Sequence, residues 1–94
     1  MLNEDGYCFI GKKEIIELTI FETKVLSLLL QNKGRITTYE QICDFTYNQK
    51  IDEYYKRTIQ TKICRLRTKM KNEVNIKNKT RYRLPYRLGG QHDL

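Results

Sequence analysis

One long helical segment in the second half of the chain constrains the fold more than any other feature. Residues 52 to 71 contain neither glycine nor proline. Four apolar residues follow one another there at intervals of four, three and four: Ile59, Ile63, Leu66 and Met70. At about 100° per residue these side chains fall within about 60° of one another. The segment therefore predicts an amphipathic helix whose apolar face packs on a core supplied by the rest of the chain.

The opposite side of this predicted helix carries short polar and cationic side chains. It comprises Arg57, Thr61, Cys64, Arg65 and Thr68. The borders of this face are Lys62 and Lys69 on one edge and Lys56, Gln60 and Arg67 on the other. A surface helix usually interleaves glutamate with lysine, yet no acid stands between residues 53 and 73. The exposed face is therefore suited to an anionic partner.

The charge of the 94-residue chain is segregated along the sequence. The formal net charge is +7, with nine acids and six basic residues in residues 1–55 but one acid and twelve basic residues in residues 56–87. Release of counterions from a phosphate backbone needs several cations at neighbouring phosphates at once. The distribution indicates nucleic-acid binding, and a solvated charged face is the alternative for such a run.

The first half of the chain predicts a hairpin followed by two helices. Residues 7–10 and 14–18 alternate around Gly11 as two short strands. Thr19 stands three residues before Glu22, which is the spacing of a capping box, and predicts a helix over about residues 20–32. Thr38 and Gln41 repeat this spacing and predict a short second helix. Its buried side is expected at Ile42 and Phe45, and it fades near Tyr47.

The sequence after the long helix predicts a second hairpin. Residues 74–77 and 80–84 alternate apolar and polar side chains, with Asn78 expected in the turn. Pro85 is expected to end the second strand or place it at an edge. Together these elements predict one α+β domain over residues 1–88 and a flexible tail over residues 89–94.

Composition excludes several classes of protein. The chain has three widely spaced cysteines, Cys8, Cys43 and Cys64, and no C-x-x-C pair. We therefore expect neither a disulfide framework nor a metal site. A reducing cytoplasm fits such a set of cysteines best. His92 and Ser27 are the only histidine and serine, and no glycine-rich phosphate loop is present, so we expect neither an enzyme nor a cofactor. The longest apolar run is far too short for a membrane span.

The tyrosines are expected to pack between elements. Four of them lie at or near predicted helix ends: Tyr39, Tyr47, Tyr54 and Tyr55. An aromatic platform for stacked bases is the alternative role for such residues. Packing between helices is the more frequent one, and it is the role that we predict here.

Three stretches resemble the C-terminal effector domain of OmpR/PhoB-type bacterial response regulators, a winged helix-turn-helix. They are residues 18–22 with 28–30, residues 34–42 and residues 57–70. The last is similar to the family's Arg-Thr-Val pattern followed by a Leu-Arg-x-Lys-Leu ending, and is the most specific. The resemblance implies three helices with an N-terminal β-hairpin and a C-terminal β-hairpin wing. It also implies sequence-specific binding of double-stranded DNA, with self-association on tandem half-sites, for transcription regulation in a two-component system.

Carried over residue by residue, the resemblance implies phosphate contacts from Arg57 and Arg67. It implies roles facing the DNA groove for Gln60, Thr61, Cys64 and Arg65. Arg65 can donate two hydrogen bonds to O6 and N7 of a guanine, and pairing with a phosphate is its alternative role. The remaining helix residues expected at the DNA backbone are Lys56, Lys62, Thr68 and Lys69.

The wing, residues 74–84, is expected near the minor groove, with Asn78, Lys79 and Arg81 at or near its tip. Relatives typically end this hairpin in Gly-x-Gly-Tyr, whereas this chain has Lys-Thr-Arg-Tyr at residues 79–82. The loss of both glycines and the gain of two cations change the backbone freedom of the tip and increase its attraction to DNA.

Two other functions fit the same charge pattern. One is binding of RNA or single strands, which requires an exposed aromatic platform. The other is a protein-interaction module whose positive face meets RNA polymerase, a sigma factor or another acidic partner.

Overall fold

Three helices follow a small N-terminal sheet and precede a C-terminal hairpin. The computed structural model describes residues 1–12, 14–33, 35–73, 75–79 and 84–89. The elements are β1 (Leu2–Asn3), β2 (Cys8–Ile10), β3 (Ile15–Glu17), α1 (Ile20–Gln31), α2 (Tyr39–Tyr47), α3 (Glu53–Met70), β4 (Asn75–Lys79) and β5 (Leu84–Gly89). This is the order of a winged helix-turn-helix, as predicted. No helix in the described ranges combines the length and apolarity that a membrane span requires.

The N-terminal sheet contains one strand more than the predicted hairpin. Its order is β1-β2-β3, all antiparallel, with Phe9 opposite both Leu2 and Ile16. Alternation along the strands places Phe9 and Ile16 in the core, and leaves Ile10 and Ile15 exposed. The strand β1 has only two residues, which is too short for an alternating pattern to reveal it.

Both predicted capping boxes are present. Thr19 Oγ1 accepts a hydrogen bond from Glu22 N at 3.1 Å, and Glu22 Oε1 accepts one from Thr19 N at 2.9 Å. Thr38 and Gln41 make the same reciprocal pair at 3.1 and 2.9 Å. Because these bonds satisfy backbone N–H groups that a helix leaves unpaired, they set the starts of α1 and α2.

The buried side of α2 was predicted only in part. Ile42 is fully buried, but Phe45 is 42% exposed, so its predicted place in the core is wrong. The buried arc instead includes Tyr39 and Cys43. This arc is centred between Ile42 and Cys43, and at about 100° per residue Phe45 lies well outside it.

The core lies between the helices and the N-terminal sheet. Its centre consists of Val25, Leu26, Leu29, Ile42, Cys43, Ile59, Ile63, Leu66 and Met70, which are at most 1% exposed. Ile76 of β4 closes one side at 3% exposure. The predicted apolar face of α3 is confirmed, because its four residues supply nearly half of this centre.

The C-terminal hairpin forms with a different pairing from the predicted one. Asn78 pairs with Tyr86 inside the ladder, so its predicted position in the turn is wrong. Lys79 pairs with Leu84, which leaves Pro85 as the extra residue of a bulge. A bulge accommodates a residue that has no N–H to donate. Gly89 pairs with Asn75 and therefore belongs to β5, not to a tail. Residues 80–83, with Arg81, and residues 90–94 of the predicted tail lie outside the described residues.

Candidate nucleic-acid interface

The helix α3 is held rigidly, with one side fixed in the core. Ile59, Ile63, Leu66 and Met70 are all 0% exposed. At its start, Asp52 caps the helix by accepting a hydrogen bond from Tyr55 N at 2.8 Å. The acid also lies where the helix dipole favours negative charge. A buried seam of this length fixes which side of the helix faces solvent.

The side that faces solvent contains the predicted interface residues. The exposed members are Arg57, Gln60, Thr61, Cys64, Arg65, Thr68 and Lys69. From residue 57 to residue 68 this face extends about 17 Å at the rise of an α-helix. An α-helix with its side chains is about 10 to 12 Å across, so a polar and cationic face of this length can lie in the major groove of B-DNA, which is about 12 Å wide.

The three arginines of α3 carry charge that nothing described in the fold neutralises. Arg57 and Arg65 are exposed and Arg67 is half-buried. Among the residues whose side chains the structure describes, none of the three has a hydrogen-bond or ion-pair partner. Within the described part of the chain, their guanidinium donors are therefore available to a ligand.

The threonines of the same face differ in what they offer. Thr58 Oγ1 donates to Tyr54 O at 2.9 Å, and Thr68 Oγ1 donates to Cys64 O at 3.2 Å. These hydroxyls are satisfied within the helix. Within the described part of the chain, the hydroxyl of Thr61 makes no such bond, so it is available to a base or a phosphate.

The two lysines on one border of α3 contact the protein. Lys62 Nζ donates to Tyr47 Oη at 2.9 Å and lies 4.9 Å from the ring centre of Phe21. Lys69 Nζ lies 2.7 Å from Glu22 Oε1 and donates to Glu17 O at 3.1 Å. The phosphate contacts expected from these lysines stay predictions. A phosphate would have to compete with Tyr47 Oη for the ammonium of Lys62, and with Glu22 and Glu17 O for that of Lys69.

The other border connects α3 to the start of α2. Gln60 Nε2 donates to Tyr39 Oη at 3.1 Å, and Lys56 Nζ lies 5.6 Å from the centre of the same ring. The sequence pattern could not reveal these contacts, because it gives the face on which a residue lies but not its neighbour on another helix. Both border residues thus help to set the angle between the two helices.

The tyrosines divide between packing and exposure. Tyr39 is buried, and Tyr47 and Tyr55 pack against the core, as predicted. Tyr54 is 71% exposed, so its predicted packing role is wrong. Tyr54 instead lines a shallow depression along α3 together with Arg57, Thr58, Thr61 and Arg65. The identity of its neighbours at helical spacing could have indicated this position.

The cysteines on α2 and α3 have different environments. Cys64 is exposed within the outward face, whereas Cys43 is fully buried beside Ile42. Burial raises the pKa of the Cys43 thiol above its ordinary value, and the carboxylates of Asp52 and Asp44 add to the effect. No cluster of histidine, cysteine, aspartate and glutamate in the described ranges is arranged to hold a metal ion.

Beyond β4 and β5, the wing residues are described only in part. Asn78 and Lys79 are the last two residues of β4, next to the segment that connects it to β5. Arg81 belongs to that segment, which lies outside the described residues. The proposed position of the wing at DNA therefore depends on the hairpin backbone and on the charge of the sequence.

Comparison with known proteins identifies the family. Residues 11–88 match the family model described as transcriptional regulatory protein, C terminal. Among solved structures, the chain is similar to the DNA-binding domain of Bacillus subtilis CssR, with a TM-score of 0.76 and 26% sequence identity. The likeness covers 94% of this chain and 97% of that one. A search among curated protein sequences gives no significant match.

Proposed function

The chain belongs to the family of C-terminal domains of transcriptional regulatory proteins, and we propose that it regulates transcription by inserting α3 into the major groove of a specific DNA duplex. DNA binding for transcription regulation follows from the family and from the similar DNA-binding domain. The observation that carries the placement of α3 is its outward face. Three arginines without described partners lie along it, and no acid interrupts it after Glu53.

The residues of α3 divide into two proposed roles. Arg65 and Thr61 read bases, because both are exposed at the middle of the face and their side-chain donors have no partner among the described residues. Gln60 and Cys64 lie beside them. Arg57 and Arg67 contact phosphates towards the two ends, as the resemblance implies, and Lys56 adds charge at one border. Lys62, Lys69 and Thr68 contribute to the backbone contacts secondarily, because the fold already supplies partners for their polar groups.

The proposal includes contacts outside α3. The wing lies near the minor groove, with Asn78, Lys79 and Arg81 as its contacts. Two copies occupy tandem half-sites, as the resemblance implies, and a further surface of the domain contacts RNA polymerase. A cytoplasmic location accompanies this function, and the function needs neither catalysis nor a cofactor. Sedimentation of the protein with a duplex containing one or two half-sites tests the stoichiometry directly.

The central experiment separates base reading from phosphate binding. The preferred duplex is first selected from a random pool, and the affinity of each variant is then measured for that duplex and for a scrambled one. Arg65→Ala should cost about 1 to 3 kcal/mol on the preferred duplex and little on the scrambled one. Arg67→Ala should weaken binding to both duplexes similarly. It should also make the slope of log affinity against log salt concentration less steep by about one.

A matched control removes the same charge elsewhere. Lys24 is exposed on α1, outside the proposed interface, so Lys24→Ala should leave both affinities nearly unchanged. If Arg65→Ala loses affinity equally on both duplexes, Arg65 is not a base reader. Binding that shows no preference for duplex over single-stranded DNA or RNA would overturn the whole proposal in favour of a single-strand or protein-binding module.

A further inference from the structure

Tyr54 is an exposed aromatic residue that neither the core nor the predicted interface accounts for. It lies in the first turn of α3 and is 71% exposed. The other exposed aromatic side chains of the described part, Tyr7 and Phe45, lie outside α3 and are 46% and 42% exposed. An aromatic ring left in water at the start of a recognition helix has surface available for a ligand.

A chain of aromatic contacts fixes the position of this ring. The ring of Tyr54 packs edge-on against Tyr55, with centres 5.4 Å apart and an interplanar angle of 75°. Tyr55 in turn contacts Tyr47 at 5.1 Å, and Tyr47 contacts the buried Phe21 at 5.7 Å. Because the inner rings are anchored in the core, Tyr54 is supported in an outward position. Little side-chain freedom is then lost when it meets a partner.

The neighbours of Tyr54 belong to the proposed interface. Arg57, Thr58, Thr61 and Arg65 follow it at spacings of three, four, seven and eleven, and all five line one depression. The hydroxyl of Thr58 is bound to the carbonyl of Tyr54 at 2.9 Å, so the group that Thr58 can still offer is its methyl. Glu53 and Lys62 complete the lining of this depression. The ring of Tyr54 and the methyl of Thr58 are therefore apolar groups at the end of the face where the charged Glu53 and Arg57 also lie.

We propose that the ring of Tyr54 packs against the C5 methyl of a thymine and makes the protein prefer thymine at one edge of its site. The inference rests on the placement of α3 in the major groove proposed above. The thymine methyl is the apolar group that the major groove presents. The N-terminal residues of a recognition helix are among those that contact base edges, and Tyr54 lies in the first turn of α3, about two turns before Thr61.

The test removes the methyl from the DNA and the ring from the protein. In the selected duplex each thymine is replaced in turn by deoxyuridine, and affinity is measured by fluorescence anisotropy at fixed salt. At one position the wild-type protein should lose about four-fold in affinity, which corresponds to burial of one methyl-sized group. Tyr54→Ala should bind the unmodified duplex more weakly by at least that factor and become insensitive to the same replacement. Tyr54→Phe should keep the sensitivity, because it keeps the ring.

Two further variants protect the result against effects on folding. Tyr54→Gln retains a long side chain without a ring, and it should reproduce the result of Tyr54→Ala. Phe45→Ala removes an exposed ring from α2 and should keep the wild-type sensitivity to deoxyuridine. Thermal unfolding of each variant, followed by circular dichroism, should show transitions close to that of the wild type.

Several outcomes would overturn the inference. One is a selected site without thymine, and another is undiminished sensitivity to deoxyuridine in Tyr54→Ala. A uniform loss of affinity in Tyr54→Phe on all duplexes would show that the hydroxyl binds phosphate instead. If Arg65→Ala relaxes the sequence preference while Tyr54→Ala does not, only this inference fails. If neither variant changes the preference, the placement of α3 itself is wrong.

Discussion

Replacing Lys69 by methionine tests how α3 is attached to the start of α1. The carboxylate of Glu22 is only 7% exposed and accepts hydrogen bonds from Lys69 Nζ at 2.7 Å and from Thr19 N at 2.9 Å. The substitution keeps most of the apolar stem, but of the bonds that the described residues make to the carboxylate it leaves only the capping bond from Thr19 N. Removal of one partner of a fully buried ion pair costs about 3 to 5 kcal/mol. Since the side chain of Lys69 is 36% exposed, water can replace part of the lost interaction. We therefore expect a loss of about 2 kcal/mol in the free energy of unfolding.

Urea denaturation followed by circular dichroism measures this loss. Lys71→Met is the matched control, because Lys71 is exposed and has no partner among the described residues, and it should change stability by less than about 0.5 kcal/mol. A double-mutant cycle with Glu22→Gln should give a coupling energy of about 1 to 2 kcal/mol. If Lys69→Met is as stable as the control, the pair does not hold the two helices together. The claim that Lys69 fixes α3 against the start of α1 would then be refuted.

Two further predictions concern the thiols and the core. A maleimide should label Cys64 in the native protein, and bound DNA should protect it. Cys43 should react only through unfolding, because it is buried and its pKa is raised above the ordinary value of a thiol. Labelling followed by mass spectrometry checks both, and rapid native labelling of Cys43 would contradict its burial. Ile63→Ala should destabilise the fold by about 2 to 5 kcal/mol in urea denaturation. The exposed control Ile15→Ala should cost far less, and equal losses would contradict the assigned core.

The helices were predictable from sequence because their signals are local. A capping box needs only Thr19 and Glu22, and both bonds of the box close within three residues. The apolar face of α3 likewise follows from the spacing of residues on one element, whatever they pack against. These signals predicted the correct order of the three helices and the correct outward face of α3. The resemblance then added the roles of individual residues, which periodicity does not supply.

The pairing of the C-terminal hairpin was not predictable for a physical reason. The sequence offers Tyr-Arg-Leu twice, at residues 82–84 and at residues 86–88, and each can alternate its side chains against β4. The actual register pairs Ile76 with Leu88 and requires a bulge at Pro85. Pro85 predicted the end of a strand or an edge position, because proline cannot donate a hydrogen bond to the ladder. The bulge instead allows the strand to continue past Pro85.

The partners of the border residues could not be predicted either, because they lie on other helices. The position of Lys62 on α3 was correct, but the aromatic side chains of Phe21 and Tyr47 that surround its ammonium come from α1 and α2. Tyr54 was predicted to pack between elements, because tyrosines at helix ends usually do so, but it is exposed. For Lys62 the missing information is the angle at which the helices cross, which a single sequence does not contain. For Tyr54 the information was present, because its spacing from the four buried residues of α3 places it on the outward side.

The contrast between lysine and arginine on α3 changes how its charge should be counted. The helix carries six cations, and in the described structure the three lysines contact aromatic or acidic groups of the protein while the three arginines do not. The planar guanidinium of arginine can donate two parallel hydrogen bonds to a phosphate or a guanine edge, which the compact ammonium of lysine does not match. With two phosphate-binding arginines, α3 should contribute about −1.8 to the slope of log affinity against log salt concentration. This dependence is about three times less steep than the slope of about −5.4 expected if all six cations neutralised phosphates. The lysines would then act on binding mainly by fixing the orientation in which α3 presents Arg57, Arg65 and Arg67 to the DNA.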